Sequence, residues 1–243
     1  MAKYIDLIAW EDCPHLMPPN IPKSELDEYE ASLLPHERRA RRTGRPALGS
    51  GVIYPVDEED YLIDPIAIPD FWGRSYALDV GWNRTAALFA AHNPESDIYY
   101  LTGEYYASQK EPAVHAFGIQ AMMPGYRLLG AIDPSADNSN TRDGRRLKLE
   151  YEEFGLELRL AQNAVEAGIH HVLVLLQSGR LKVFRTLTNW LKEMRLYRRD
   201  EKGKIVKEND HLMDCMRYVL FTDGIFRTRP IPTKRASRKR GEW

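Results

Sequence analysis

The chain has 243 residues, 43% hydrophobic and 10% aromatic, and its 34 lysines and arginines nearly balance 35 aspartates and glutamates for a net charge of −1. That composition can close a core and excludes a disordered or collagen-like chain; no apolar run nears the roughly 18–20 residues of a membrane span. Two distant cysteines, Cys13 and Cys215, and an opening MAKYIDLIAWEDCP exclude a disulfide scaffold, a zinc finger and a secretory leader, so the expected compartment is reducing.

The length predicts one large domain or a domain with an appendage, and residues 1–60 read as the appendage. They carry PHLMPPNIP, a short charged helix over Ser24–Leu34 with Ser24 as its N-cap, and an arginine-rich run, HERRARRTGRP, at 36–46. From Arg74 the pattern changes. SYALDVG, TAALFAAHN and DIYYLTGEYYA are rich in β-formers and joined by short turns, which predicts an antiparallel three-strand meander. Glu111-Pro112 opens a helix reaching Met123. A fourth strand follows, YRLLGAID at 126–133, then a charged helix over 144–154, a strand at 156–161 and a helix over 163–177. A short strand at 181–184 and a helix over 186–195 come next. Residues 197–208 read as a β-hairpin turning at Glu201-Lys202-Gly203, and Asp210–Phe221 as an amphipathic helix with Leu212, Met213, Met216, Val219 and Leu220 inward. The last stretch, 227–240, holds seven basic residues and no acid. Such basic blocks are either solvated tails or phosphate-binding surfaces. The whole predicts a mixed-sheet α/β domain with helices on both faces.

Three aspartates stand where chemistry would need them. Asp79 ends the first strand before Gly81, Asp133 ends the fourth before Pro134, and Asp214 lies one turn inside the last helix. Each alone has a plain structural reading, as a turn residue, a turn initiator and a solvated helix face. Together at one cleft, unpaired carboxylates would repel unless cations filled it. Hard Mg²⁺ or Mn²⁺ suits oxygen ligands far better than zinc, and two such ions serve phosphodiester hydrolysis. First strand, fourth strand and last helix resembles the carboxylate arrangement of the ribonuclease H-like fold.

YALDVGWNRTAALFAA, GAIDPSADNSNTRDG and DHLMDCMRY, spread over about Phe71–Thr222, resemble the C-terminal nuclease domain of the large terminase subunit of tailed double-stranded DNA bacteriophages. The last motif is similar to a D-H-x-x-D-A-x-R-Y pattern, with Cys215 where alanine is usual; both are small and apolar. The upstream PHL…LLPHERRARRTGRPALGSGVIYPV looks like the region joining packaging ATPase to nuclease. The resemblance thus divides the chain into a junction arm (1–70), a nuclease domain (71–226) and a basic tail (227–243). It implies metal-dependent endonuclease cutting of concatemeric double-stranded DNA, with the ATPase domain, the small terminase subunit and the portal as partners in the host cytoplasm. No G-x-x-x-x-G-K-[ST] occurs, so the sequence holds no P-loop.

On this reading Asp79 bridges two Mg²⁺ or Mn²⁺ ions, while Asp133 and Asp214 hold one each. Asp210, one turn before Asp214, is a fourth ligand or the helix cap, the cap being preferred. His211 is a surface first-turn residue or a proton or phosphate contact. DNA-binding candidates are Asn83 and Arg84 after Asp79, Arg142 and Arg145 in the polar loop, and Arg198, Arg199, Lys202 and Lys204 on the hairpin. Each has solvated charge as its alternative. No recognition helix is evident, which predicts little sequence preference. The rival readings are another nuclease of this fold, of resolvase or transposase type, and a non-catalytic module docking DNA or portal.

Overall fold

The computed structural model describes residues 13–16, 18–32, 51–137 and 146–230, so the arginine-rich run, Arg142, Arg145 and most of the basic tail lie outside the described residues. The chain divides into two units: residues up to 57 with 194–208, and residues 58–193 with those from 209 onward.

In the first unit, α1 spans Lys23–Ser32 and buries none of its residues. It begins earlier than a Ser24 cap would have it: the Glu25 and Leu26 N–H groups donate to Pro22 O, placing Ser24 inside the helix. Elsewhere in this unit Val52 bridges Arg198, and the Tyr54 ring stacks on Tyr197 at 5.8 Å. The expected hairpin at 197–208 is present in short form: Arg199 bridges Ile205 antiparallel, and the Val206 and Asp200 N–H groups donate to Arg198 O and Lys204 O at 3.0 and 2.8 Å. Asp200 closes its turn: its Oδ1 accepts both the Lys202 and Lys204 N–H groups at 2.9 Å.

The second unit holds an eight-stranded mixed sheet. After a short helix α2 (Glu58–Tyr61) come β1 (Leu62–Ile63), β2 (Gly73–Asp79), β3 (Thr85–Asn93) and β4 (Ile98–Ala107). Helix α3 (Pro112–Ala121) leads to β5 (Tyr126–Ile132), and α4 (Leu147–Glu153) to β6 (Glu157–Leu160). Then follow α5 (Val165–Gln177), β7 (Leu181–Phe184), α6 (Thr188–Leu196), α7 (His211–Phe221) and β8 (Thr228–Pro230). The order across the sheet is β1-β7-β4-β3-β2-β5-β6, with β8 antiparallel to β5. The predicted meander is β2-β3-β4, antiparallel throughout, and β5 and β6 run parallel to β2. Leu62–Ile63 and Thr228–Pro230 are sheet strands, so the sheet reaches past residues 71 and 226 on both sides.

Alternation along the strands gives the sheet two apolar faces, each covered by helices. Tyr76, Leu78, Ala87 and Phe89 pack with Ala116 and Ile119 of α3 and Tyr151 of α4. Ala77, Ala86 and Leu88, all fully buried, alternate onto the opposite face, where α7 crosses β2 and β3. Alanines on that face let α7 approach closely, and the Cys215 Sγ lies 3.5 Å from Ala86 O. Behind α7, α5 packs over the stem of Arg217, and Gly168 makes room for it: a Cβ there would stand 2.5 Å from Arg217 Cγ. Alanine improves helix propensity by about 1 kcal/mol, yet overpacking costs about 1–3 kcal/mol. Gly168→Ala should therefore lower stability by up to about 2 kcal/mol, measured as the midpoint of urea unfolding.

Two histidines are held as neutral bases in this unit. His115 of α3 is buried, with Nδ1 2.9 Å from the Tyr105 hydroxyl, and burial pushes its pKa below the ordinary histidine value. Burial also depresses His171, which packs on Phe221. The unfolded chain takes up protons that the folded one refuses, so these residues' contribution is present above the unfolded histidine pKa of about 6.5 and is lost as pH falls from there through their lowered folded values. The His115→Gln midpoint should therefore gain on the parent's as pH falls from 7.5 to 5.5, a comparison in which every other titrating group is common to both.

Candidate active site

Parallel pairing of β2 with β5 places Leu78 beside Ile132, and the Asp133 N–H continues the ladder with a 3.2 Å bond to Leu78 O. Asp79 and Asp133 therefore leave neighbouring strands at the same height, at the carboxyl ends where open α/β sheets place their ligands. The third aspartate comes from α7. Its residues 211, 214 and 218 share one face by helical spacing. His211 Nδ1 lies 2.7 Å from Asp79 Oδ2, and the Tyr218 hydroxyl donates to Asp133 Oδ2 at 2.5 Å. Asp214 sits between these two anchors, so the helix brings it over both strand ends. Asp79 and Asp133 are thus neighbours at the strand ends, and α7 carries Asp214 on the face whose His211 and Tyr218 reach both.

Each carboxylate is turned to a donor of its own. Burial alone would raise Asp133, but the Tyr218 hydroxyl and the Ser135 N–H, 2.6 Å from Oδ1, outweigh it and hold the carboxyl below the usual range. His211 is raised by its bond to Asp79. It is thus no surface first-turn residue; its side chain is 33% exposed and joined to the cleft. Asp214 Oδ1 accepts from Arg217 Nη2 at 2.7 Å, and Arg217 Nη1 reaches Asn163 Oδ1 at 2.7 Å. In these positions no three Asp, Glu, His or Cys side chains among the described residues stand at metal-ligating spacing. The donor set nonetheless suits a hard divalent cation: oxygens from carboxylates grouped at one cleft and oriented by neighbouring donors, with no thiolate facing it. The Cys215 thiol is buried and its pKa pushed up.

Asp210 occupies the N-cap position of α7, but its side chain makes no capping hydrogen bond, which corrects the expected role. Glu193 of α6 caps in its place. Its Oε2 accepts the Leu212 N–H at 2.6 Å and its Oε1 the Tyr106 hydroxyl at 2.6 Å. Burial pushes the Glu193 carboxyl up to about 7 against the pull of those two bonds. Sequence reasoning missed Glu193 and gave no role to Arg217 or Tyr218. The latter two were visible in principle, standing three and four residues after Asp214 and so on adjoining helix faces.

Among the DNA-binding candidates, Asn83 is exposed in the loop after Asp79. Arg84 lies over the Tyr106 ring at 4.2 Å, and the loop is pinned by the Gln109 N–H on Trp82 O (2.9 Å). Arg198, Lys202 and Lys204 are exposed in the other unit, where Arg199 Nη1 bonds Gly203 O at 3.1 Å. Arg142 and Arg145 fall outside the described residues.

The terminase RNaseH-like domain family matches residues 77–222, the stretch that carries all three aspartates. The chain belongs to this family. Large terminase subunits of Enterobacteria phage LP7 and Salmonella phage P22 are each 34% identical over 203 residues, 80% of this chain. That match takes in 42% and 40% of their lengths, so the chain spans about two fifths of the curated relatives it matches. The solved nuclease domain of the P22 large terminase superposes with a TM-score of 0.65 at 30% identity, covering 72% of this chain and 93% of that one. Membership of the terminase family sets aside the resolvase and transposase readings.

Proposed function

We propose that the chain is the nuclease part of a phage DNA-packaging terminase, an endonuclease that hydrolyses phosphodiesters of concatemeric double-stranded DNA at the start and end of packaging. The observation that supports it most is that Asp79 and Asp133 leave neighbouring parallel strand ends under α7, the helix that carries Asp214 and bonds both through His211 and Tyr218. The resident cofactor on this reading is a pair of Mg²⁺ or Mn²⁺ ions, held by those three aspartates with Asp210 as a fourth candidate. When bound, such ions lower the pKa of a water and neutralise charge developing on the leaving oxygen.

The chain's own residues prepare the cleft. Tyr218 and the Ser135 N–H fix the direction of the Asp133 carboxylate, and Arg217 fixes that of Asp214. His211 stands beside Asp79, where it can hold a proton or a phosphate oxygen. Asn83 and Arg84, on the loop leaving Asp79, suit a DNA phosphate near the scissile one, and Arg142, Arg145, Arg198, Arg199, Lys202 and Lys204 are further candidates for DNA phosphates. Phosphate contacts position DNA without reading it, so cut-site choice falls to partners: the ATPase domain, the small subunit and the portal. The work is done in the host cytoplasm; among the described residues no helix is long and apolar enough to cross a membrane. Supercoiled plasmid incubated with the chain should be nicked and linearised in Mn²⁺ or Mg²⁺ and untouched in EDTA. Cleavage that persists in EDTA, or that never appears with either ion, overturns the proposal. A docking module would retain DNA binding with no cleavage.

A further inference from the structure

We propose that Glu193 is the positioning residue of the cleft, fixing α7 against the loop that follows Asp79. The inference rests on the nuclease reading of the three aspartates. Glu193 is 2% exposed, and each carboxylate oxygen has a partner from a different element. One holds the Leu212 N–H in the first turn of α7, between His211 and Asp214; the other holds the Tyr106 hydroxyl at the end of β4. Tyr106 carries Arg84 on its ring face, and Arg84 ends the loop that begins at Asp79. One buried carboxylate thereby joins the two halves of the site.

The geometry has the marks of a brace. An amide N–H in the first turn of a helix has no partner within the helix, and a carboxylate there also meets the positive end of the helix dipole. The residue at the N-cap, Asp210, does not cap with its side chain, so α7 takes its cap from across the fold. The brace itself is anchored. Glu104 of β4 accepts the Asn189 and Trp190 N–H groups at 2.9 and 2.8 Å, capping the start of α6 in the same manner. Strand β4 thus holds α6, and α6 holds α7, which carries His211, Asp214 and Tyr218. A helix shifted by a fraction of an ångström would move Asp214 relative to Asp79 and Asp133, whose places are set by the sheet. A buried carboxylate is costly to desolvate, and fixing this register is the return.

The test compares the parent chain with Glu193→Ala, Glu193→Gln and Tyr106→Phe. Free Mn²⁺ is titrated by electron paramagnetic resonance alongside plasmid nicking, at a temperature where circular dichroism shows every variant folded. Losing a residue that orients metal ligands weakens affinity by roughly 10–100-fold, so Glu193→Ala should raise the Mn²⁺ half-saturation about tenfold in both readouts. DNA affinity measured in Ca²⁺ should not change. Glu193→Gln retains an acceptor for the Leu212 N–H and should restore most of the loss; Tyr106→Phe should shift the midpoint the same way by less. If the parent binds Mn²⁺ and cuts, while folded Glu193→Ala and Tyr106→Phe keep the parent midpoint, this inference falls and the nuclease reading stands. A parent that neither binds Mn²⁺ nor cuts overturns both. Should Glu193→Ala fail to fold, an unshifted midpoint in Tyr106→Phe still refutes the brace.

Discussion

Asp79→Asn and Asp133→Asn should each fold as the parent does and lose plasmid cleavage by about 10³-fold. The magnitude follows from what a cation contributes to a phosphoryl transition state, several kcal/mol, with each 1.36 kcal/mol worth tenfold in rate. Folding should survive because asparagine keeps the volume and one carbonyl oxygen. At position 79 that oxygen can still accept the His211 Nδ1–H; at 133 it can accept the Tyr218 hydroxyl or the Ser135 N–H. What disappears is charge. A ligand that binds only the native state raises its stability by mass action. The parent's melting temperature should therefore rise with Mn²⁺, and both variants should lose that response while their metal-free melting stays close to the parent's. Substantial cleavage by either folded variant would remove the aspartate cleft from the chemistry.

The aspartates were legible because each sits where local sequence announces its position. Asp79 and Asp133 close apolar β-forming runs just before Gly81 and Pro134, and Asp214 repeats at helical spacing with His211 and Tyr218. The meander was legible for the same reason, long strands with strong β-formers and short turns. Strands of two or three residues show no period, so Leu62–Ile63 and Thr228–Pro230 read as arm and tail; only pairing with β7 and β5 makes them strands. Glu193 was hidden more deeply. On an amphipathic helix a glutamate reads as solvent-facing, and the partners it bonds, Tyr106 and Leu212, lie 87 and 19 residues away in sequence. Such a contact is made by tertiary packing and leaves no local trace. Asp210 failed in the opposite sense. Its place before the helix is where a capping aspartate belongs, but a better-placed carboxylate from α6 takes the amide instead. Local rules gave way where the cleft is assembled, which is also where the chemistry is proposed.

Arg217→Ala should be the most destabilising single change near the cleft, at about 3–5 kcal/mol. Arg217 is 1% exposed, with its guanidinium on Asp214 and Asn163 and 4.7 Å from the centre of the Tyr218 ring. Burial by itself would lower its pKa, but the adjacent Asp214 carboxylate more than compensates and keeps the arginine charged. Truncation removes the counter-charge from an aspartate whose side chain is only 13% exposed, and leaves a void under Gly168 where the arginine stem lay. Both effects have the same sign. Against a typical domain stability of about 5–15 kcal/mol the loss is large and should appear as a clear drop in the urea midpoint. Arg217→Lys keeps the charge but cannot reach two partners with a planar fork, so it should recover only part of the loss. Mn²⁺ separates the two components. A cation at Asp214 replaces the missing positive charge but not the missing volume, so saturating Mn²⁺ should stabilise Arg217→Ala more than it stabilises the parent. An equal Mn²⁺ shift in both would mean that Asp214 is not among the ligands, and a total loss below about 1 kcal/mol would mean that the buried pair contributes little to the fold.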